Sequence, residues 1–155
     1  MQRAIELSKE GMDRGDGGPF GCVIVKNGEI IGEGNNQVTS TNDPTAHAEV
    51  VAIRNACNYL QSFQLEGCEI YTSCEPCPMC LGAIYWARPD KIYFANTRED
   101  AKNINFDDSF IYDEISVEMH QRKIPMIPLG RNTAIKIFEE WYQKTPDLSE
   151  LVRQI

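Results

Sequence analysis

Two short segments of this chain carry side chains that can bind a metal and move a proton. The first is H-x-E, with His47 and Glu49, and the second is P-C-x-x-C, with Cys77 and Cys80. A catalytic zinc site takes three ligands from the protein and leaves a fourth position for water. One His and two Cys supply those ligands, and the unligated Glu49 carboxylate can transfer protons beside a metal-activated water. The segments therefore predict a catalytic zinc site.

Both segments are predicted to lie at the N-termini of helices. Residues 42–45 are rich in capping residues, and an apolar helical repeat follows at Ala46, Val50, Ile53, Cys57 and Leu60. Pro78 suits the first turn of a second helix, which we expect over about residues 78–87. His47 and Glu49 would point to nearly opposite sides in the middle of a helix. They can converge on one metal only if it lies off the helix N-terminus, where the helix dipole favours thiolate and hydroxide.

Other kinds of site can contain some of these residues. A C-x-x-C pair is also found in redox sites and in structural zinc sites. A structural site needs a fourth Cys or His, for which Cys74 and His120 are the candidates. Cys74 extends the motif to C-x-x-C-x-x-C, but Ile84 stands where an iron–sulfur motif continues with Cys. A redox pair would leave the H-x-E segment without a role.

Composition and charge limit the classes of function. The chain has 155 residues, with 42% hydrophobic and 25% charged residues, which suits one globular domain over residues 1–155. The net charge of −8 and the absence of a basic cluster argue against a nucleic-acid partner. We find no membrane-spanning run and no signal peptide, so we expect no membrane association and a cytoplasmic location. The six Cys are then expected to be reduced.

The order of predicted elements indicates an α/β sandwich with a mixed sheet. A helix is expected over 1–14, with Ala4, Ile5, Ser8 and Met12 on one side. Strands are expected over 22–26 and 29–33, joined by an Asn27-Gly28 turn, and over 68–73 and 91–95. A fifth strand is expected over 124–129, at a sheet edge because it contains two prolines. A last helical pattern covers 132–143.

Four blocks of the sequence resemble the cytidine deaminase-like superfamily of zinc deaminases, and most closely its small bacterial guanine deaminases. The blocks are GGPFG at 17–21, NDPTAHAEV at 42–50, YTSCEPCPMCLGAIYWARP at 71–89 and FDDSFIY at 106–112. Looser forms of the first three also occur in tRNA adenosine deaminases, so the fourth favours guanine deaminase. The resemblance implies a three-layer α/β/α sandwich with a mixed five-stranded sheet, and the hydrolysis of guanine to xanthine and ammonia.

The resemblance also implies roles for particular residues. His47, Cys77 and Cys80 would hold one Zn²⁺ per subunit, and Glu49 would shuttle protons. Asp108 would be a second carboxylate near the departing amine. The purine base would contact four further residues: Phe20, Asn36, Ala48 and Trp86.

Several of these residues have simpler interpretations. Trp86 can be a core residue of an apolar helix, and Phe20 can be ordinary packing. Asn36 can be a turn residue, and Asp107-Asp108-Ser109 can be a helix cap.

The same resemblance implies a homodimer in which C-terminal segments, about residues 130–155, are exchanged. Members of the family are expected to end in an aromatic residue that closes the partner's site, whereas this chain has no aromatic residue after Tyr142. Three other functions stay open. One is a related small-molecule deaminase acting on guanosine, cytosine or an aminotriazine. The others are a tRNA adenosine deaminase and a non-catalytic zinc-binding module.

Overall fold

The computed structural model describes residues 1–144, which fall into two compact units. The first unit is Met1–Phe110, and the second begins at Ile111. In chain order the elements are α1 (Gln2–Arg14), β1 (Gly21–Lys26), β2 (Glu29–Asn35), α2 (Val38–Thr41), α3 (Ala48–Leu60), β3 (Cys68–Cys74), α4 (Pro78–Ala87), β4 (Lys91–Asn96), α5 (Arg98–Asn103), α6 (Ser109–Ser116), a 3₁₀ turn (Met119–Gln121) and α7 (Arg131–Lys144). Within the described residues, no helix is long and apolar enough to cross a membrane.

The sheet of the first unit is mixed, with strand order β2-β1-β3-β4. β1 pairs antiparallel with β2 and with β3, and β3 pairs parallel with β4. The predicted hairpin turn is confirmed, because Asn27 and Gly28 have φ angles of 51° and 82°, the left-handed conformation that a tight hairpin turn requires.

The prediction of a fifth strand over 124–129 is wrong. The sheet has four strands among the described residues, and this segment has no regular structure. Pro125 and Pro128 lack the N–H that a strand ladder needs. Ile124 and Leu129 are 80% and 95% exposed, so the apolar residues that suggested a strand do not pack as one within the described chain.

Helices cover both faces of the sheet in the first unit. Successive strand residues point to opposite faces, and Val23 packs with Ala4 and Leu7 of α1 while Cys22 and Ile24 join a larger core. That core also contains residues of β3, α3 and α4, namely Cys68, Ile70, Ala48, Ala52, Ala56, Ile84 and Ala87. The first unit is therefore a helix–sheet–helix sandwich, as predicted.

Small residues bring α3 unusually close to β2. Ala48 and Ala52 are fully buried on the face of the helix that meets the strand. A Cβ atom added to Gly34 would lie 2.3 Å from the Ala48 carbonyl oxygen, and one added to Gly32 would lie 2.7 Å from the Ala52 carbonyl oxygen. The two glycines thus allow backbone to pack on backbone, and this contact fixes the position of the first turn of α3.

Candidate active site

The predicted metal ligands lie together at the N-termini of two helices. His47 is the N-cap residue of α3, and Cys77 is the N-cap residue of α4, each with an extended backbone. Pro78 follows at the first helical position of α4, where its missing N–H costs nothing. Cys80 is buried in the first turn of α4. The prediction that both ligand segments open helices is therefore confirmed.

The distances between the ligand atoms fit a tetrahedral zinc ion. His47 Nδ1 lies 3.6 Å from Cys77 Sγ and 3.5 Å from Cys80 Sγ. Zinc bonds of about 2.3 Å to sulfur and about 2.0 Å to nitrogen, at a tetrahedral angle, separate the sulfur and nitrogen atoms by about 3.5 Å. All three ligand atoms lie within 4.8 Å of one another. The donor set and its spacing therefore match zinc.

The part of the chain that the structure describes supplies no fourth Cys or His to this cluster. Its metal-binding group consists of His47, Cys77 and Cys80. Cys74, a candidate fourth ligand, instead directs its thiol to the Thr97 carbonyl oxygen at 3.6 Å. Three protein ligands with one position left for solvent is the arrangement of a catalytic zinc site.

The pKa values of the two cysteines are shifted in opposite directions. The pKa of Cys77 is lowered to about 4, because the Cys80 thiol and His47 form hydrogen bonds to its thiolate. The same hydrogen bond with Cys77, together with burial, raises the pKa of Cys80. A thiolate at a helix N-terminus is a ready ligand for a soft divalent cation, and metal binding removes the second proton.

Glu49 is a buried carboxylate beside the ligand cluster. It is 6% exposed, and burial raises its pKa. Its Oε1 accepts a hydrogen bond from Thr72 Oγ1, and its Oε2 accepts one from Cys80 Sγ, both at 3.3 Å. A carboxylate that contacts a ligand and has a raised pKa is suited to proton transfer.

The tandem aspartates before α6 have separate environments. Asp107 accepts hydrogen bonds from the Ser109 backbone N–H at 3.0 Å and from its hydroxyl at 2.6 Å, so Asp107 makes the turn that starts the helix. Asp108 is half-buried. Burial raises its pKa, and the Cys77 thiolate contributes to the increase. The charge of Cys77 therefore acts on Asp108, whereas Asp107 is engaged by Ser109.

Asn36 is held by the backbone around it. It is 5% exposed, its N–H donates to the Phe20 carbonyl at 3.0 Å, and its Oδ1 accepts from the Val38 N–H at 3.2 Å. With its oxygen engaged in this way, the side chain has its amide N–H groups left to offer to a ligand. A Cβ on Gly17 would lie 2.0 Å from Asn36 Oδ1, so the absence of a side chain at Gly17 leaves the space that the amide oxygen occupies.

The structure places the three other predicted contact residues in different settings. Phe20 packs edge-to-face on Phe106, with ring centroids 5.0 Å apart. Ala48 is fully buried, so its side chain belongs to the core and its backbone is what could face a ligand. Trp86 is 67% exposed, so it is not a core residue of this chain.

Sequence reasoning missed Phe106 and Thr72. Phe106 lies in the FDDSFIY block, and its ring contact with Phe20 of the GGPFG loop was not predicted from the sequence. Thr72 lies on the buried face of β3 in line with Cys68 and Ile70. A hydroxyl in an apolar alternating row was the signal that could have identified it.

The sequence and the structure of this chain are similar to those of the same groups of known proteins. A family model described as the cytidine and deoxycytidylate deaminase zinc-binding region matches residues 1–96. The guanine deaminase of Bacillus subtilis (strain 168) is 55% identical over 141 residues, which is 91% of this chain and 90% of that protein. A crystal structure of guanine deaminase from Bacillus subtilis superposes with a TM-score of 0.89 at 54% identity, over 92% of this chain and 90% of that one. The tRNA-specific adenosine deaminase of Aquifex aeolicus (strain VF5) is 43% identical over 95 residues, covering 61% of this chain and 62% of its own length.

Proposed function

Since the chain belongs to the cytidine and deoxycytidylate deaminase zinc-binding family, we propose that it is a zinc-dependent guanine deaminase. It hydrolyses guanine to xanthine and ammonia, with one zinc ion per subunit held by His47, Cys77 and Cys80. The observation that carries this proposal is a catalytic-type ligand cluster with Glu49 hydrogen-bonded to one of its members. The 55% identity to a guanine deaminase over 91% of the chain supports guanine as the substrate.

Zinc and the side chains of the protein have different roles in this reaction. When bound, zinc supplies a Lewis acid that lowers the pKa of water toward about 7. Glu49 takes one proton from the attacking water and delivers it to the ring nitrogen beside C2 of guanine as the C2–O bond forms. It then transfers the second proton, from the new C2 hydroxyl, to the amine, which leaves as ammonia when the C2–N bond breaks. General acid–base transfer of this kind contributes about 10²–10⁴-fold in rate.

Other residues bind and orient the base in this proposal. Asp108 holds or protonates the amine as it leaves, consistent with its raised pKa and its proximity to Cys77. Asn36 donates from its amide N–H groups to an acceptor on the purine, because its oxygen is already engaged by Val38. Phe20 and Trp86 line the pocket that holds the base, and the backbone at Ala48 lines the rest of it.

We further propose that the protein is a cytoplasmic homodimer with exchanged C-terminal segments. Reduced Cys77 and Cys80 are needed for zinc ligation, and all six cysteines are free thiols, which suits a reducing compartment. Helix α7 exposes a large apolar surface in one chain, with Ile137, Phe138, Trp141 and Tyr142 each at least 45% exposed. Apolar surface of this kind indicates a protein partner. The predicted closing segment after Lys144 lies outside the described residues.

The function is tested by following ammonia release from the zinc-loaded protein with guanine, guanosine, adenine, cytosine and an aminotriazine in parallel. We expect release from guanine, with xanthine as the product. Release from a different base alone would refute guanine deamination and retain a zinc deaminase. The dimer is tested by light scattering, in which a species of 17.6 kDa, the mass of one chain, would contradict it.

The exchange itself is tested by mixing two inactive variants. One carries Glu49→Gln with an intact C-terminal segment, and the other has an intact site but ends at residue 129. If the segment closes the partner's site, mixed dimers regain activity at the truncated chain. If each segment closes its own site, mixing restores nothing and the exchange is wrong.

A further inference from the structure

A buried hydroxyl on β3 lies beside the site without belonging to the ligand cluster. Thr72 is 1% exposed, and it follows Cys68 and Ile70 on the strand face that meets the core. Burying a hydroxyl costs free energy unless the group is hydrogen-bonded. Valine has nearly the same shape and no such cost, so the hydroxyl at this position requires a specific polar partner.

That partner is the Glu49 carboxylate. Thr72 Oγ1 donates to Glu49 Oε1 at 3.3 Å, while Oε2 faces Cys80 Sγ. The two carboxylate oxygens therefore have different neighbours, one on the strand and one in the ligand cluster. A cysteine that ligates a metal has lost its proton, so Cys80 has no hydrogen to donate in the metal-loaded protein. The Thr72 hydroxyl remains as the side-chain donor, beside the backbone N–H of Glu49 itself.

We propose that Thr72 is a positioning residue that anchors one oxygen of Glu49 and so directs the other toward the ligand cluster. The inference rests on the proposed role of Glu49 in proton transfer. A glutamate side chain has three rotatable bonds. When one carboxylate oxygen is fixed, most of the remaining orientations place the other oxygen within reach of the reacting atoms. Proton transfer depends on such alignment, because misplacement by about 1 Å can cost about 10²-fold in rate.

The next residue of β3 provides a matched control. Ser73 is also buried, at 3% exposure, and its side chain points to the opposite face of the sheet. Its Oγ accepts a hydrogen bond from the Gly21 N–H at 2.9 Å. This bond joins two neighbouring strands and does not involve Glu49 or a metal ligand. Ser73→Ala therefore removes a buried hydroxyl from the same strand without affecting the carboxylate.

The experiment compares full-length, zinc-loaded Thr72→Val, Thr72→Ser and Ser73→Ala proteins with the wild type. We expect Thr72→Val to lower kcat by about 10- to 100-fold, the effect of losing a hydrogen bond to a charged group. Its KM, zinc content and resistance of the zinc to a chelator stay close to wild type. Thr72→Ser retains the hydroxyl and recovers most of kcat. Ser73→Ala lowers thermal stability but not kcat.

A double variant separates positioning from a general structural effect. If Thr72 acts through Glu49, adding Thr72→Val to Glu49→Gln lowers kcat little further. Wild-type kcat in zinc-loaded Thr72→Val would overturn the proposal, and so would an equal loss of kcat in Ser73→Ala. The kcat of each variant is divided by the kcat of the wild type, both measured with whichever base the wild type deaminates. If the wild type does not deaminate guanine, the proposed substrate is refuted. If the kcat ratio of Thr72→Val is one, the proposed role of Thr72 is refuted.

Discussion

The close contact between β2 and α3 predicts that a single methyl group will weaken zinc binding without touching a ligand. In Gly34→Ala the new Cβ would lie 2.3 Å from the Ala48 carbonyl oxygen, short of a 3.4 Å contact by 1.1 Å. The two nearest opposing atoms, the Ala48 carbonyl oxygen and the Ala52 nitrogen, are backbone atoms, so relief requires the first turn of α3 to move. That turn begins at His47, and a shift of this size exceeds the tolerance of about 0.2 Å on metal–ligand distances.

Gly32→Ala is the matched control. It introduces the same methyl group on the same strand, 2.7 Å from the Ala52 carbonyl oxygen and from Ala56 Cβ, one to two turns further from His47. Both variants overpack the core, and we expect each to lose about 1–3 kcal/mol of unfolding free energy. We expect zinc affinity to fall by about 10- to 100-fold in Gly34→Ala, the range seen when support for a ligand is lost, and much less in Gly32→Ala.

The assay is competition for zinc with a chromophoric chelator, paired with denaturant unfolding of the same samples. Wild-type zinc affinity in both variants, with equal losses of stability, would refute the idea that this contact positions the ligand helix. An equal loss of zinc affinity in both variants would show that overpacking anywhere along α3 is sufficient.

Four other predictions concern the site and the acid stability of the fold. Glu49→Gln retains zinc and loses about 10²–10⁴-fold in kcat; near-normal turnover at full zinc content would remove its catalytic role. Cys77→Ala loses the metal, and elemental analysis showing full occupancy would exclude it as a ligand. Asp108→Asn lowers kcat with zinc content unchanged, and wild-type kcat would exclude Asp108 from the chemistry. Arg3 donates from Nε and Nη2 to Glu33 at 2.8 and 3.0 Å and lowers the pKa of Glu33 below 4.5. The stability from this pair is therefore present above pH 4.5 and is lost as the pH falls through the lowered pKa; we expect Arg3→Met to weaken this acid dependence, measured as the unfolding midpoint between pH 6 and 3.

The candidate metal ligands could be predicted from sequence because coordination chemistry restricts the choice of residues, and the structure brings the predicted three together. Few residue types bind zinc, and the spacing of Cys77 and Cys80 places both in one helical turn. The His47–Glu49 spacing could be reconciled with a single site only at a helix N-terminus, and the structure has this arrangement. Local rules were sufficient in this part of the chain, because each element presents its own ligands.

Features that depend on packing between elements could not be predicted in this way. Thr72 contacts Glu49 across 23 positions of sequence, and no local pattern encodes that contact. The predicted inward side of α1 was Ala4, Ile5, Ser8 and Met12, but the buried residues are Ala4, Leu7 and Gly11. Gly11 was overlooked because its burial reflects the close approach of Asn35, whose Nδ2 would lie 2.4 Å from an added Cβ. At Gly11 the neighbouring Asn35 side chain, and not hydrophobicity, accounts for the burial.

The proposed site residues are unevenly distributed along the chain. The three candidate metal ligands and Glu49 lie within residues 1–96, the segment that the family model matches. Asp108 and Phe106 come after it, yet the first compact unit extends to Phe110 and includes them. If Asp108 meets the leaving amine as proposed, a substitution after Asn96 can change that group while the candidate zinc ligands and Glu49 stay the same.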